Sequence, residues 1–424
     1  MLITKKHHFE KDGQRFFYLA DTCWSAFTNA SLDDWKYYLD YRKAQGFNVI
    51  QINVLKQWDA SESDIDILPF PITYEDKAHI DYDYTTLNKS YFDRAEKMLE
   101  EVYKRNMIPG LVLLWANYVP GTWAGNIAPN NPFDYEALEE YVKYVVNRFK
   151  KYNPIYFISG DTDFPTEESI KYYRKVFEVA KRIDSTALYS FHIKGRFTDL
   201  PDEFLNKIDF FSYQSGHNFA GQHTAYDIPM FMRKKGFDRP IVNTEPCYDQ
   251  ISYSRNEYGR FRPYDVRKAS YQSILSGADA GVTYGAHGIW SWHKTGKKFG
   301  IVEGEGFDLP FDWHDALKFR GANDVVLLKK IILNLDADLK PENVNFKNHE
   351  EIRVAKAGKD YLIYLPVNTQ INLEELGINK QNMNFDVLDL QTGRVSHGMW
   401  DQYSDGKISL PLCMEDVLLI VHTN

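Results

Sequence analysis

Eight short apolar runs recur along the first part of the chain, each followed by a turn signal and most by a helical stretch. This alternation constrains the fold more than any other feature. The runs cover residues 16–20, 48–54, 107–114, 155–159, 187–191, 208–213, 241–244 and 281–284. Runs this short and this uniformly apolar are typical of strands buried on both faces, as in parallel sheets. The helical stretches have recognisable ends. Ser31 stands at an N-cap position with Asp33 and Asp34 in the first turn, and Gly46 follows the last turn. Strict strand–helix alternation implies parallel strands with helices outside them. Eight units within about 335 residues fit a (β/α)8 TIM barrel with long loops. A doubly wound dinucleotide fold is the competitor, but no Gly-x-Gly-x-x-Gly follows a strand.

Beyond residue 335 the texture changes. Short strands are expected at 351–355, 361–366, 384–390, 407–412 and 417–422, with Gly358, Gly393 and Asp405-Gly406 at turns. The expected organisation is therefore a barrel over 1–335 and a small antiparallel β-sandwich domain over 336–424. The tail holds no clustered acid, His or Trp set and is expected to contribute stability.

The ends of the barrel strands are where such a fold keeps its chemistry. Run 155–159 leads into Gly160, Asp161 and Asp163, and run 241–244 delivers Glu245. Two carboxylates on two strands of one barrel form the minimal apparatus of a glycoside hydrolase, one as proton donor and one as nucleophile or base. Asp161 and Glu245 are the expected catalytic pair. Asp163 is either an alternative acid or a residue that starts the next helix. Asp21, Trp24, Trp115, His192, Tyr213, Gln214, His217 and Trp290 fall on the same rim and are the expected substrate contacts, with Tyr213 placed to donate to Glu245. Asn53, Gln57 and Trp58 stand near the end of the second run. A long loop over 60–86 is expected to line a site or to move. Its acids, Asp64, Asp66, Asp81 and Asp83, lack the spacing of a calcium loop.

Composition removes other classes. Net charge is −9 without a basic block, which argues against nucleic acid or an anionic membrane as partner. Cys23, Cys247 and Cys413 make neither a disulfide framework nor a metal site, and none stands in a clear Cys–His pair. Cys23 and Cys247 read as small buried packing residues. No cofactor or metal is expected. No apolar stretch has the length of a membrane span, and residues 1–15 contain no apolar leader, so a cytoplasmic location is expected. Nine Trp and 29 Tyr lean towards a carbohydrate partner, because aromatic faces stack on sugar rings. Oligomeric state is not legible.

The segments Phe17-Tyr18-Leu19-Ala20-Asp21-Thr22-Cys23-Trp24, Gly46-Phe47-Asn48-Val49-Ile50-Gln51, Ser159-Gly160-Asp161, Gln214-Ser215-Gly216-His217 and Asn243-Thr244-Glu245-Pro246 span the barrel. With them the chain resembles the apiosidase-like glycoside hydrolases, family 140 of clan A, known from bacteria that degrade plant pectin. The resemblance implies a barrel followed by a β-sandwich. It also implies an acid/base at the end of strand four and a Glu nucleophile at the end of strand seven, which fall on Asp161 and Glu245. The implied activity is retaining, exo-acting removal of a terminal sugar, apiose or a related furanose, from a plant-derived glycoside. An endo-acting glucanase and a non-catalytic carbohydrate-binding barrel are the alternatives. Most of clan A carries Asn-Glu at strand four, where this chain has Gly160-Asp161.

Overall fold

The computed structural model describes residues 1–77, 79–299, 306–344, 346, 349–403, 405–410 and 414–423. Cys413 and the end of the expected strand 407–412 lie outside the described residues.

A three-stranded antiparallel ribbon, Leu2–Lys5, His8–Lys11 and Gln14–Phe16, precedes the barrel. Its Phe9 is fully buried. The ring meets Phe210 edge-on at 5.3 Å and lies 6.2 Å from Tyr18, so the ribbon seals the N-terminal end of the strands. The sequence reading merged the end of this ribbon with the first barrel strand, because Phe16 and Tyr18 belong to one unbroken apolar run.

The barrel strands are β1 Tyr18–Thr22, β2 Val49–Asn53, β3 Ile108–Trp115, β4 Ile155–Gly160, β5 Tyr189–Ser190, β6 Phe211–Gln214, β7 Ile241–Glu245 and β8 Gly281–Tyr284. They pair in parallel in the order β5-β4-β3-β2-β1-β8-β7-β6. All are buried throughout, which is why they read as continuous apolar runs. Hydroxyls help to close the ring where β5 meets β6. Ser190 Oγ donates to Phe210 O at 2.7 Å, and Ser212 Oγ donates to Phe191 O at 2.6 Å.

Long helices surround the ring: α1 Leu32–Gln45, α2 Lys89–Lys104, α3 Leu138–Phe149, α4 Glu167–Ile183, α5 Thr224–Lys234, α6 Pro263–Leu275 and α7 Gly321–Leu333. Helix α1 has the expected ends. The Ser31 side chain accepts from the Asp34 N–H, and Gly46 takes φ 112°, a conformation that favours glycine. Between β5 and β6 the described residues contain only the short helix Asp202–Leu205. No helix among the described residues is long and apolar enough to cross a membrane.

The tail strands are β9 Leu339–Glu342, β10 Arg353–Ala357, β11 Asp360–Leu365, β12 Met383–Asp389, β13 Arg394–His397, β14 Met399–Trp400, β15 Ile408–Ser409 and β16 Val417–Thr423. Six form one antiparallel sheet in the order β9-β10-β11-β16-β12-β13, and β14 pairs with β15 apart from it. Successive side chains alternate between two cores. Ala355, Leu362, Tyr364 and Leu418 join the barrel core. Val354, Ile363, Leu365 and Leu419 form a second core on the other face.

Arg267 of α6 fastens the sheet to the barrel. It is 2 % exposed and reaches Asp416 at 2.6 Å, Asp324 of α7 at 2.8 Å and Glu415 at 3.2 Å. The Tyr364 hydroxyl donates to the second oxygen of Asp416 at 3.1 Å.

Candidate active site

A cavity of about 690 Å³ opens at the C-terminal ends of the strands, and residues after all eight strands line it, from Trp24 after β1 to Phe307 after β8. Asp161, Gln214, His217, Glu245, Trp24, Trp115 and Trp290 of the expected set are on its wall.

Glu245 ends β7 and is nearly buried, with its side chain 11 % exposed. Two imidazoles hold it. His217 Nε2 lies 2.9 Å from Oε1, and His192 Nε2 lies 3.2 Å from Oε2. Burial alone raises a carboxyl pKa. The Nε2 contacts of His192 and His217 outweigh it and hold Glu245 down at about 2. An ionised carboxylate results, as a nucleophile requires. The Tyr248 hydroxyl adds to this cluster. It accepts from Trp24 Nε1 at 3.0 Å, and burial, then the Glu245 charge, push its own pKa up.

Asp161 follows β4 in the left-handed region at φ 55°, unusual for a residue with a β-carbon. Its polar groups are fixed from three directions. Gln214 Nε2 donates to Oδ1 at 2.6 Å, Trp123 Nε1 donates to the carbonyl at 2.6 Å, and the Asp161 N–H donates to His192 Nδ1 at 3.3 Å. Gly160 before it has no room for a side chain, because a β-carbon there would overlap the Trp115 indole. The Asn expected from the clan pattern is therefore replaced by the face of a tryptophan. Gly285 does the same for Tyr248, whose ring fills the place of its β-carbon.

Asp163 is occupied elsewhere. It accepts from the Trp123 N–H at 3.3 Å and sits 3.6 Å from Lys194 Nζ, and it is not on the cavity wall.

Three expected contacts do not reach the cavity. Asp21 points outward from β1. It is fully buried against Arg42 Nε at 2.5 Å and the Tyr38 hydroxyl at 2.8 Å. Tyr213 points outward from β6, and its hydroxyl donates to Ala225 O at 2.8 Å, so it cannot donate to Glu245. The reason is strand parity: neighbours alternate between faces. Tyr18 faces the barrel interior, with its hydroxyl on Gln51, so Asp21 three positions later faces the helices. His192 is the third. It is fully buried beneath the wall, and its two nitrogens face the two acidic residues.

Other wall residues went unrecognised. Trp123 lies within the loop after β3, and its ring packs edge-on against Trp58 at 5.9 Å. Asp59 is oriented by a chain of amides: Asn53 Nδ2 donates to Gln57 Oε1 at 2.9 Å, and Gln57 Nε2 donates to Asp59 Oδ1 at 2.8 Å. The run Asn53, Gln57, Trp58 at a strand end was the available signal for this part. Trp123 and Tyr248 had none. The loop acid Asp64 pairs with Lys294 and Lys297. Cys23 and Cys247 are fully buried. Among the described residues no group of three or more His, Cys, Asp or Glu is placed to hold a metal ion.

The model of the apiosidase-like catalytic domain matches residues 4–338. No curated protein matches the chain in sequence. Among solved structures, the chain is similar to a glycoside hydrolase family 5 protein from Bacteroides vulgatus, with TM-score 0.78 and 20 % identity over 100 % of this chain and 93 % of that one. A structure described only as a glycoside hydrolase gives TM-score 0.78 and 20 % identity, over 100 % of this chain and 97 % of that one. An alpha-amylase from Lactobacillus plantarum gives TM-score 0.55 and 12 % identity, over 96 % and 99 %. At these identities the structural likenesses carry the fold alone, whereas the family model covers the whole barrel together with both candidate acids. The chain belongs to the apiosidase-like family and is a glycoside hydrolase.

Proposed function

We propose that this enzyme is a retaining, exo-acting glycoside hydrolase that removes a terminal apiose or related furanose from a plant-derived glycoside. One observation carries the reading: Asp161 and an ionised, doubly held Glu245 line the same cavity. Glu245 attacks the anomeric carbon, and Asp161 protonates the departing oxygen. A covalent glycosyl-enzyme results. Water then cleaves it, with Asp161 acting as base. Gln214 Nε2 donates to Oδ1 of Asp161 and orients the carboxyl group.

Exo action is what the family resemblance implies, and loops after every strand line the cavity it would use. The aromatic lining suits the apolar face of a small sugar. Retention of both acids in one cavity favours catalysis over a binding-only role.

The test is a screen of aryl glycosides that includes apiosides and arabinofuranosides, with the first-formed anomer followed by proton NMR. Release of one terminal furanose with retained configuration supports the reading. Inverted product, or internal cleavage of a polymer without terminal release, overturns it.

A further inference from the structure

We propose that His192 is the positioning residue that ties the acid/base to the nucleophile, and that it does so only as the neutral Nε2–H tautomer. The inference rests on the assignment of Asp161 and Glu245 above. The Asp161 N–H donates to Nδ1 at 3.3 Å, so Nδ1 must present a lone pair. The proton of the neutral ring then lies on Nε2, which faces Glu245 Oε2 at 3.2 Å. One imidazole thus reads the backbone of one catalytic residue and the carboxylate of the other. Its own position is fixed: the ring is fully buried, flanked by Trp24 at 5.3 Å, Trp115 at 5.8 Å and Phe157 at 6.3 Å, and the Ser159 hydroxyl donates to its carbonyl at 3.0 Å.

A second proton on this ring would go to Nδ1, directly opposite the Asp161 N–H. Two donors would then face each other at a site without solvent. Asp161 would lose one of the contacts that hold it at φ 55°. Other titratable groups around the ring are Glu245, His217 on the second oxygen of Glu245, and Tyr248. Lys194, two residues along the chain, is turned towards Asp163.

Two isosteres separate the two bonds. In H192N the amide oxygen replaces Nδ1 and keeps an acceptor for the Asp161 N–H, but the donor to Glu245 is lost. In H192Q the amide nitrogen replaces Nε2 and keeps the donor, but the acceptor is lost. The experiment measures kcat/KM for wild type, both variants and D161A on phenyl apioside and 2,4-dinitrophenyl apioside. Only the phenyl substrate needs a proton on its leaving group. H192Q is expected to lose about 30-fold or more on phenyl apioside and less than about threefold on the dinitrophenyl substrate, within the range of a general-acid contribution. H192N is expected to lose about equally on both.

Equal losses in H192Q on the two substrates overturn the proposal while D161A still discriminates between them. If D161A does not discriminate, the assignment of the acid falls and the coupling falls with it. Should neither isostere fold, imidazole nitrogen shifts of 15N-histidine-labelled wild type decide the matter. A neutral Nε2–H ring at His192 supports the proposal, and an Nδ1–H ring overturns it.

Discussion

Gly160 and Trp115 occupy one volume between them: the indole fills the place that a β-carbon on residue 160 would take. Trp115 is 4 % exposed and forms part of the cavity wall, so neither partner can yield without moving the site. The departure from Asn-Glu to Gly160-Asp161 is thus half of a paired feature. Gly160→Ala is expected to destabilise the fold by about 1–3 kcal/mol through overpacking. Gly160→Asn is expected to be worse. Combining Gly160→Ala with Trp115→Leu should restore stability beyond the sum of the single effects by about 1 kcal/mol, because the two sites share a volume. Urea unfolding of the four proteins in the cycle measures this, and additivity within error would rule out the shared volume.

Glu245→Gln should abolish turnover and leave the fold intact, and it also has a stability signature. The folded pKa, about 2, lies below the ordinary carboxyl value. As pH falls, the unfolded chain takes up the proton first. Ionised Glu245 therefore stabilises the fold above about pH 5, and about 3 kcal/mol of that stabilisation is lost as pH falls towards 2. The gap in unfolding free energy between wild type and E245Q should shrink steadily across that window. A constant gap from pH 6 to 3 would show that the two imidazoles do not hold the carboxylate. Wild-type-like kinetics in E245Q would remove the retaining mechanism.

Much of the barrel was legible because a buried parallel strand is a short apolar run with a sharp end, and run 241–244 shows this without help from any partner. The rim acids were legible for the same reason. Direction at the rim was not. Asp21 and Tyr213 are at the right height and on the wrong face, which is a matter of counting strand residues from one whose orientation is known; here Tyr18 would have served. His192 shows the other limit. Its position at a strand end was visible, but its burial follows from Trp24 and Trp115 closing over it. Trp123 and Tyr248 lie in loops, where no periodicity says which way a side chain turns. The fastening of the tail was also hidden, since Arg267 and Asp416 are 149 residues apart.

Arg267→Met should loosen the tail sheet without touching the chemistry. The guanidinium serves Asp416, Asp324 and Glu415, and Asp416 is fully buried. Removing one partner of a buried ion group leaves uncompensated charge, which costs about 3–5 kcal/mol. Denaturant unfolding should register that loss, and limited proteolysis should cut first in the tail. The catalytic constant on an aryl glycoside should stay within about twofold of wild type, because the charge partners of Arg267 are not on the cavity wall. A large fall in the catalytic constant at unchanged stability would mean that the sheet takes part in catalysis.

Asp161 and Asp163 are separated by two positions and by their partners. Asp161 lines the cavity, whereas Asp163 fastens the Trp123 N–H and faces Lys194. A general acid matters most when the leaving group is poor, so Asp161→Ala should cripple phenyl glycosides and spare an activated dinitrophenyl glycoside in the first step. The second step still slows, because the same carboxylate must draw a proton from water. Azide attacks the glycosyl-enzyme without needing a base. It should restore part of the lost rate in Asp161→Ala and leave a glycosyl azide of retained configuration. Asp163→Ala should show no azide effect. It removes the acceptor of the Trp123 backbone N–H, and the indole of the same residue donates to the Asp161 carbonyl. Its effect should therefore be a moderate loss on both substrates alike, of about tenfold or less, as expected when a supporting contact shifts a catalytic group. Rescue of the Asp163 variant in place of the Asp161 variant would reverse the assignment. Rescue of neither would place the acid/base outside this strand end.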